Sequence, residues 1–198
     1  MSPKSKEQFA ALRKKSKEKI LMAALEVFAE KGYHASSVEG VAKRANISKG
    51  LIYNYFSSKE ALLKELLNVL MHEGSEMIRK MDLDKSNEAF GYFMNTFKKS
   101  LVEKRKFWKL NASLALQEEV GRFDFVKEIV QNQIQGYLKL MEHILEKRGF
   151  ENPKMEAMLL GSILDGISFQ YVVVGESYPL DKVVDHVIAK YSAKNEPD

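Results

Sequence analysis

The sequence predicts an all-α fold in two parts, on three observations. Apolar residues recur at spacings of three and four along most of the chain, and no stretch alternates as a half-buried strand would. Helix-start and helix-stop residues divide the chain into about nine helices. The charge is uneven: of 31 basic and 27 acidic residues, twelve and six fall within the first 60, which leaves +6 there and −2 in the remainder. Such asymmetry is the electrostatic footprint of a polyanion at one end of a molecule. The expected organisation is an N-terminal three-helix helix-turn-helix domain over residues 1–60 and a C-terminal helical bundle over residues 61–198.

Residues 1–14 are polar and basic and read as frayed. From Ser16 the positions Ile20, Leu21, Ala24, Leu25 and Phe28 form the stripe of an amphipathic helix that ends at Gly32. Ser36-x-x-Glu39 has the spacing of a capping box for a second helix, buried through Val38, Val41, Ala42 and Ala45. Asn46 tolerates the left-handed conformation and makes the turn. Ser48 then caps a short helix, Lys49 to Phe56, and a second capping box, Ser57-x-x-Glu60, opens a helix through Leu62, Leu63, Leu66, Leu67, Leu70 and Met71. This last helix is expected to connect the two parts rigidly.

The second part continues as helix. Asp84 or Ser86 would cap a segment carrying Phe90, Phe93, Met94, Phe97 and Leu101. Another segment, with Phe107, Trp108 and Leu110, ends near Gly121, and a longer one runs from Asp124 to Arg148 before Gly149. Asn152-Pro153 is a helix-start signal, with the asparagine as cap and the proline at the first helical position. Tyr178-Pro179 breaks that helix before a final one through Val183, Val184, Val187, Ile188 and Tyr191, and the tail 195–198 reads as disordered.

With 198 residues, 45% of them hydrophobic, the chain buries a substantial core. It has no cysteine, which excludes disulfides, thiolate metal sites and cysteine nucleophiles and fits a reducing compartment. The first residues lack the apolar block of a signal peptide, and no apolar run approaches the ~18 residues of a membrane span. The expected setting is soluble and cytoplasmic, with no membrane partner.

The chemistry concentrates between Ser36 and Glu60. In a helix-turn-helix the second short helix enters the major groove and the first crosses the backbone behind it. With Ile47, Ile52, Tyr55 and Phe56 turned inward, helical spacing leaves Lys49, Gly50, Leu51, Tyr53 and Asn54 outward. Lys49 and the Tyr53 hydroxyl suit phosphate, Gly50 lets the helix end approach a duplex, Leu51 suits a thymine methyl and Asn54 a base edge or phosphate. Ser37, Ser48 and Lys59 stand at helix starts, where free N–H groups favour an anion, and Arg44 is a further groove or phosphate candidate.

Val38-Glu39, Val41-Ala42, Ala45, Ile47-Ser48-Lys49-Gly50, Ile52-Tyr53-Asn54-Tyr55-Phe56 and Lys59-Glu60-x-Leu62 carry a resemblance to the tetracycline-repressor (TetR) family of transcriptional regulators. It covers about Ile20 to Leu66. The family usually has glycine where this chain has Asn46, and often histidine where it has Asn54. The resemblance implies a ligand-responsive homodimer, a repressor released from a palindromic DNA operator by a small-molecule effector. It also implies a C-terminal domain that binds the ligand and dimerises through its last two helices. Met158, Leu159, Ile163, Gly166, Ile167, Val184 and Val187 are the candidate dimer contacts, with small residues at 161, 162 and 166 allowing close helix approach.

The aromatic-rich middle suggests where a largely apolar or aromatic effector would sit, with Phe90, Phe93, Phe97, Trp108, Asn111, Met141, Phe169 and Gln170 as candidate ligand contacts. Gln117, Gln133 and Asp165 are further polar candidates. Aromatics at helical spacing serve equally as ordinary core. No set of ligands converges for a metal, no nucleophile-base pattern or phosphate loop is present, and neither a cofactor nor an enzyme is expected. The competing reading is a DNA-bound architectural or protein-interaction adaptor without an effector.

Overall fold

The computed structural model describes residues 6–79, 81, 83, 85–115 and 123–192. Among these it contains nine α-helices and no strand: α1 Lys6–Lys31, α2 Val38–Ala45, α3 Lys49–Tyr53, α4 Lys59–Arg79, α5 Ser86–Glu103, α6 Arg105–Ala115, α7 Asp124–Lys147, α8 Pro153–Val174 and α9 Leu180–Ser192. Contacts divide the chain into two compact units, Met1–Leu70 with Leu110–Val126, and Met71–Lys109 with Lys127–Asp198. The first unit thus takes in the start of α4 and residues 110–126 as well as the 60 residues expected of it.

In the first unit α1 begins at Lys6, well before the expected Ser16. Apart from Phe9, its opening residues are lysine, glutamate, glutamine, alanine, leucine and arginine, with no glycine or proline among them, and these residue types propagate a helix even where nothing packs on them. Packing begins with Ile20, and Ala24 and Phe28 are completely buried. Both expected capping boxes are displaced by one residue. Ser37, in extended backbone, is the N-cap of α2 and accepts from the Gly40 N–H at 3.0 Å. Ser36 is buried, and its hydroxyl donates to the Gly32 carbonyl at the end of α1. At α4 it is Ser58, not Ser57, that accepts from the Ala61 N–H, at 3.0 Å.

Asn46 makes the turn as expected, at φ 52 and ψ 54, while the Ile47 N–H reaches back to the Ala42 carbonyl at 3.1 Å. Helix α3 is shorter than the 49–56 expected. It closes at Tyr53 with Asn54 as C-cap, after which the N–H groups of Tyr55 and Phe56 both turn back to the Ile52 carbonyl and Phe56 enters the core.

The second unit has one core, in which Phe90, Met94, Met141, Ile144, Leu160 and Val184 are all at most 1% exposed. Ser86 is the first residue of α5 and not its cap; Asp84, Gly121 and the tail 195–198 lie outside the described residues. Gly149, at φ 76, ends α7, and the Asn152 side chain accepts from the Met155 N–H to start α8. Helix α8 is apolar on two sides. Ala157, Leu160, Leu164, Ile167 and Tyr171 are buried, while Met155, Met158, Leu159, Phe169 and Val173 are each about half exposed or more. The stretch Pro153–Ser177 therefore reaches the length and apolar composition of a membrane span, which corrects the expectation that no run does.

At the end of α9 the Arg148 guanidinium donates to the Tyr191 carbonyl at 2.8 Å and lies over the Phe90 ring, 5.1 Å from its centroid. A cation at a helix C-terminus is favoured by the dipole. The Tyr191 hydroxyl, fully buried, has no hydrogen-bond partner among the described residues. Burial, and secondarily the Glu156 carboxylate, push it up to about 12. Because the folded value exceeds the unfolded one, stability is lost as pH rises from about 10. Tyr191→Phe is accordingly expected to raise stability at neutral pH by about 1 kcal/mol, the scale of an unsatisfied buried hydroxyl. It should also flatten the fall of Tm above pH 10, as read by thermal melts across pH.

Candidate nucleic-acid interface

The α2–turn–α3 element is assembled by packing on one side and capping on the other. Val38, Val41, Ala42 and Ala45 bury α2, and Ile52 anchors α3 at 1% exposure. What remains outward agrees with helical arithmetic: Ser37, Ser48, Lys49, Gly50, Tyr53 and Asn54 are exposed, and Leu51 is half-buried. The hydroxyls of Ser37 and Ser48 each accept one backbone N–H, from Gly40 at 3.0 Å and Leu51 at 3.2 Å. An accepting hydroxyl keeps its own hydrogen to donate, and phosphate needs donors. Lys49 Nζ is 4.0 Å from a Glu39 carboxylate that is itself 79% exposed, a contact too loose and solvated to hold it. A Cβ built on Gly50 would meet nothing within 4 Å, so no neighbour in the chain requires this glycine.

Two of the expected contacts have other work. The Arg44 guanidinium grips Glu30 at 2.9 and 2.6 Å and Glu26 at 2.9 Å, which fastens the end of α2 to α1. These carboxylates raise its pKa, Glu30 foremost. Lys59 Nζ donates to the carbonyls of Tyr33, His34 and Ser36 at 2.9, 3.2 and 3.0 Å, with the Tyr33 ring centroid 4.3 Å away. All three N–H bonds of the ammonium are used. Lys59 thus ties the first turn of α4 to the α1–α2 loop, and Arg44 and Lys59 position the element instead of extending its outward row. Helical spacing gave no sign of either partnership. Ser36, expected as a cap, and Tyr33, which helical spacing does not single out, complete the loop.

In the second unit Phe90, Phe93, Phe97 and Met141 lie in the packed core, with Phe93 against Tyr137 and Phe97 edge-on to half-buried Trp108. Phe169 and Gln170 are exposed on α8 and do not join them, a correction that follows from the register of that helix. Asn111 belongs to the other unit and is half-buried, Gln133 is exposed, and Gln117 lies outside the described residues. An open surface cleft of ≈ 370 Å³ is lined by Val102, Tyr171, Glu176, Tyr178 and Pro179 among others; of these only Tyr171 belongs to the aromatics expected to line a ligand cavity.

Among the candidate dimer contacts, Met158 and Leu159 are exposed and Ile163 and Gly166 half-buried, but Ile167, Val184 and Val187 are core residues of their own chain. These three are corrected: the stripe they were assigned to is the inward one. Gly161 serves packing within the chain, since a Cβ there would come within 3.0 Å of the Tyr137 ring. Asp165 sits on the outward face of α8, and desolvation by the apolar residues around it raises its pKa.

Residues 20–66 match the family described as bacterial regulatory proteins, tetR family. In Bacillus subtilis (strain 168), the uncharacterized HTH-type transcriptional regulator YuxN is 33% identical over 68% of this chain, which spans only 47% of that protein. The uncharacterized HTH-type transcriptional regulator YhgD is 31% identical over 66% of this chain and 67% of its own length. The fatty acid metabolism regulator protein of the same organism is 28% identical over 85% of this chain and 90% of its length. Among solved structures, the fatty acid degradation regulator FadR from Bacillus halodurans superposes with a TM-score of 0.73 at 25% identity, covering 90% of this chain and 99% of that one. FadR from Bacillus subtilis in complex with stearoyl-CoA superposes with a TM-score of 0.72 at 22% identity and the same coverage.

Proposed function

The chain belongs to the tetR family of bacterial regulatory proteins, and on that premise we propose that it acts as a homodimeric transcriptional repressor released from a palindromic operator by a small, largely apolar effector. The observation that carries the DNA-binding part is the outward row Ser37, Ser48, Lys49, Gly50, Tyr53 and Asn54 on a segment with a net charge of +6 over its first 60 residues. Lys49, Tyr53 and the two serine hydroxyls would hold phosphates and set the register of α3 in the major groove, Gly50 would admit the backbone closely, and Asn54 would read a base edge. The exposed stripe of α8 supports the homodimer, since an apolar face of that length calls for a partner.

The effector class is supported by the aromatic and aliphatic composition of the second unit and by likeness to a fatty acid metabolism regulator. On this reading the effector is a fatty acyl compound. It would act only by binding one arrangement of the protein better than the other. The dense packing of Phe90, Met94 and Met141 favours a second reading, an adaptor whose helical body docks another protein. A shift of Tm on adding a long-chain acyl thioester separates the two, because a binder of the folded state stabilises it and an adaptor is left unchanged.

Fluorescence anisotropy against the DNA upstream of its own gene and against random duplex tests the main reading. Equal affinity for both would sink it. Lys49→Ala and Tyr53→Phe are expected to weaken binding about tenfold per site on every sequence. Asn54→Ala should instead change the preference at particular base pairs in a selection experiment.

A further inference from the structure

The family match begins at residue 20, but α1 begins at Lys6 and carries nothing in its core-facing arc until Ile20. Residues 6–15 add about 15 Å of helix, at a rise of roughly 1.5 Å per residue. At roughly 100° per residue, Lys6, Arg13, Lys14 and Lys17 fall within an arc of about 100°, with Glu7 and Glu18 beyond its edge. Farther along, the same arc is occupied by the buried residues Ala24 and Phe28. The face that packs inward in the second half of α1 therefore becomes cationic in the first half.

Its direction is fixed by two contacts. The Arg13 guanidinium lies over the Tyr55 ring, 5.3 Å from the centroid, and Lys17 pairs with Glu65 of α4. Tyr55, half-buried, directly follows Asn54, the C-cap of α3, so the cationic arc adjoins the end of the DNA-reading helix. Lys6 and Lys14 are exposed.

We propose that the first turns of α1 are an auxiliary DNA-backbone contact, in which Lys6 and Lys14 neutralise phosphates flanking those gripped around α3. This rests on the DNA-binding reading above and extends its footprint. Lys15 and Lys19 stand on the opposite side of α1 and read as a solvated basic face; Lys6 and Lys14 differ from them in sharing the arc of Arg13, which meets Tyr55. Over ~15 Å of axis a duplex presents about nine phosphate charges, ample for two lysines. Such contacts carry no sequence information.

The test uses the full chain and its Lys6→Gln/Lys14→Gln variant, whose substitutions keep helix propensity at exposed positions. Affinity is measured from 50 to 200 mM salt on the upstream operator and on an unrelated duplex of equal length. Each lost phosphate contact should reduce the slope of log K against log salt by about 0.9, hence by about two per bound protomer. Affinity for both duplexes should fall by the same factor, leaving their ratio intact. A variant that keeps the wild-type slope and affinity overturns this proposal alone. Wild-type protein that binds neither duplex overturns the DNA-binding reading and this proposal together. Wild-type binding to phosphatidylserine vesicles that the variant loses, with an unchanged DNA slope, also overturns it and assigns the arc to a lipid surface.

Discussion

Lys59→Met is expected to destabilise the first unit by about 2–4 kcal/mol while leaving the salt dependence of DNA binding unchanged. The substitution keeps the length and apolar stem of the side chain and removes the ammonium, so the carbonyls of Tyr33, His34 and Ser36 lose a shared donor at once. Hydrogen bonds to a charged group are worth about 1.5–3 kcal/mol each, but the His34 contact is exposed and water replaces much of the loss at carbonyls left near the surface, which holds the total below the sum of three. In a chain of 198 residues, at about 2–4 °C per kcal/mol, the change should lower Tm by roughly 4–16 °C. Lys59→Arg should not restore it, because a planar fork cannot aim three donors at three carbonyls on one side of a ring. A Lys59→Met protein with unchanged Tm and a salt slope lowered by about 0.9 would return Lys59 to the phosphate-binding role its place at a helix start suggests.

That ambiguity marks where sequence stops deciding. A lysine one turn before Leu62 and Leu63 reads the same whether it meets a phosphate or a cage of carbonyls, because carbonyls belong to every residue and leave no trace in composition. Arg44 differs only in that its partners, Glu26 and Glu30, are visible 18 and 14 positions upstream; nothing in that spacing announces a contact until α1 and α2 pack together. The helices themselves were legible because burial imposes a period, and the turn at Asn46 was legible because few residues accept positive φ. The caps Ser48 and Asn152 were legible to the residue, but those of α2 and α4 only to within one, since Ser36-Ser37 and Ser57-Ser58 each offer two hydroxyls and the backbone conformation chooses between them. The aromatic middle was the least legible part. Phe90 and Phe93 at helical spacing suit a filled core and an effector pocket equally, and their burial fits both. The start of α1 was misjudged by treating charge as fraying, although lysine and glutamate propagate a helix well.

Leu159→Lys is expected to convert the dimer to a monomer in sedimentation and to weaken operator binding by roughly 10²–10⁴, the effect of losing the second half-site once the two reading helices are no longer linked. The reason lies in the two faces of α8. Met155, Met158, Leu159, Phe169 and Val173 are 58, 47, 48, 52 and 65% exposed, and they fall on one face of the helix, with Ser162 and Gly166 bridging the gap between Leu159 and Phe169. Met155 and Met158 flank position 159, so a lysine there would be set in apolar surface, with the polar Ser162 and Asp165 of the same face about one turn and a turn and a half away. The residues first expected at the seam behave as the contrasting case. Ile167, Val184 and Val187 are at most 5% exposed inside their own bundle, so Val184→Ala should cost about 1–3 kcal/mol of stability through the space it leaves, with the monomer–dimer balance unaltered. The two substitutions therefore separate association from folding. A Leu159→Lys protein that remains dimeric with full operator affinity would remove α8 from the interface and leave its exposed stripe to another partner.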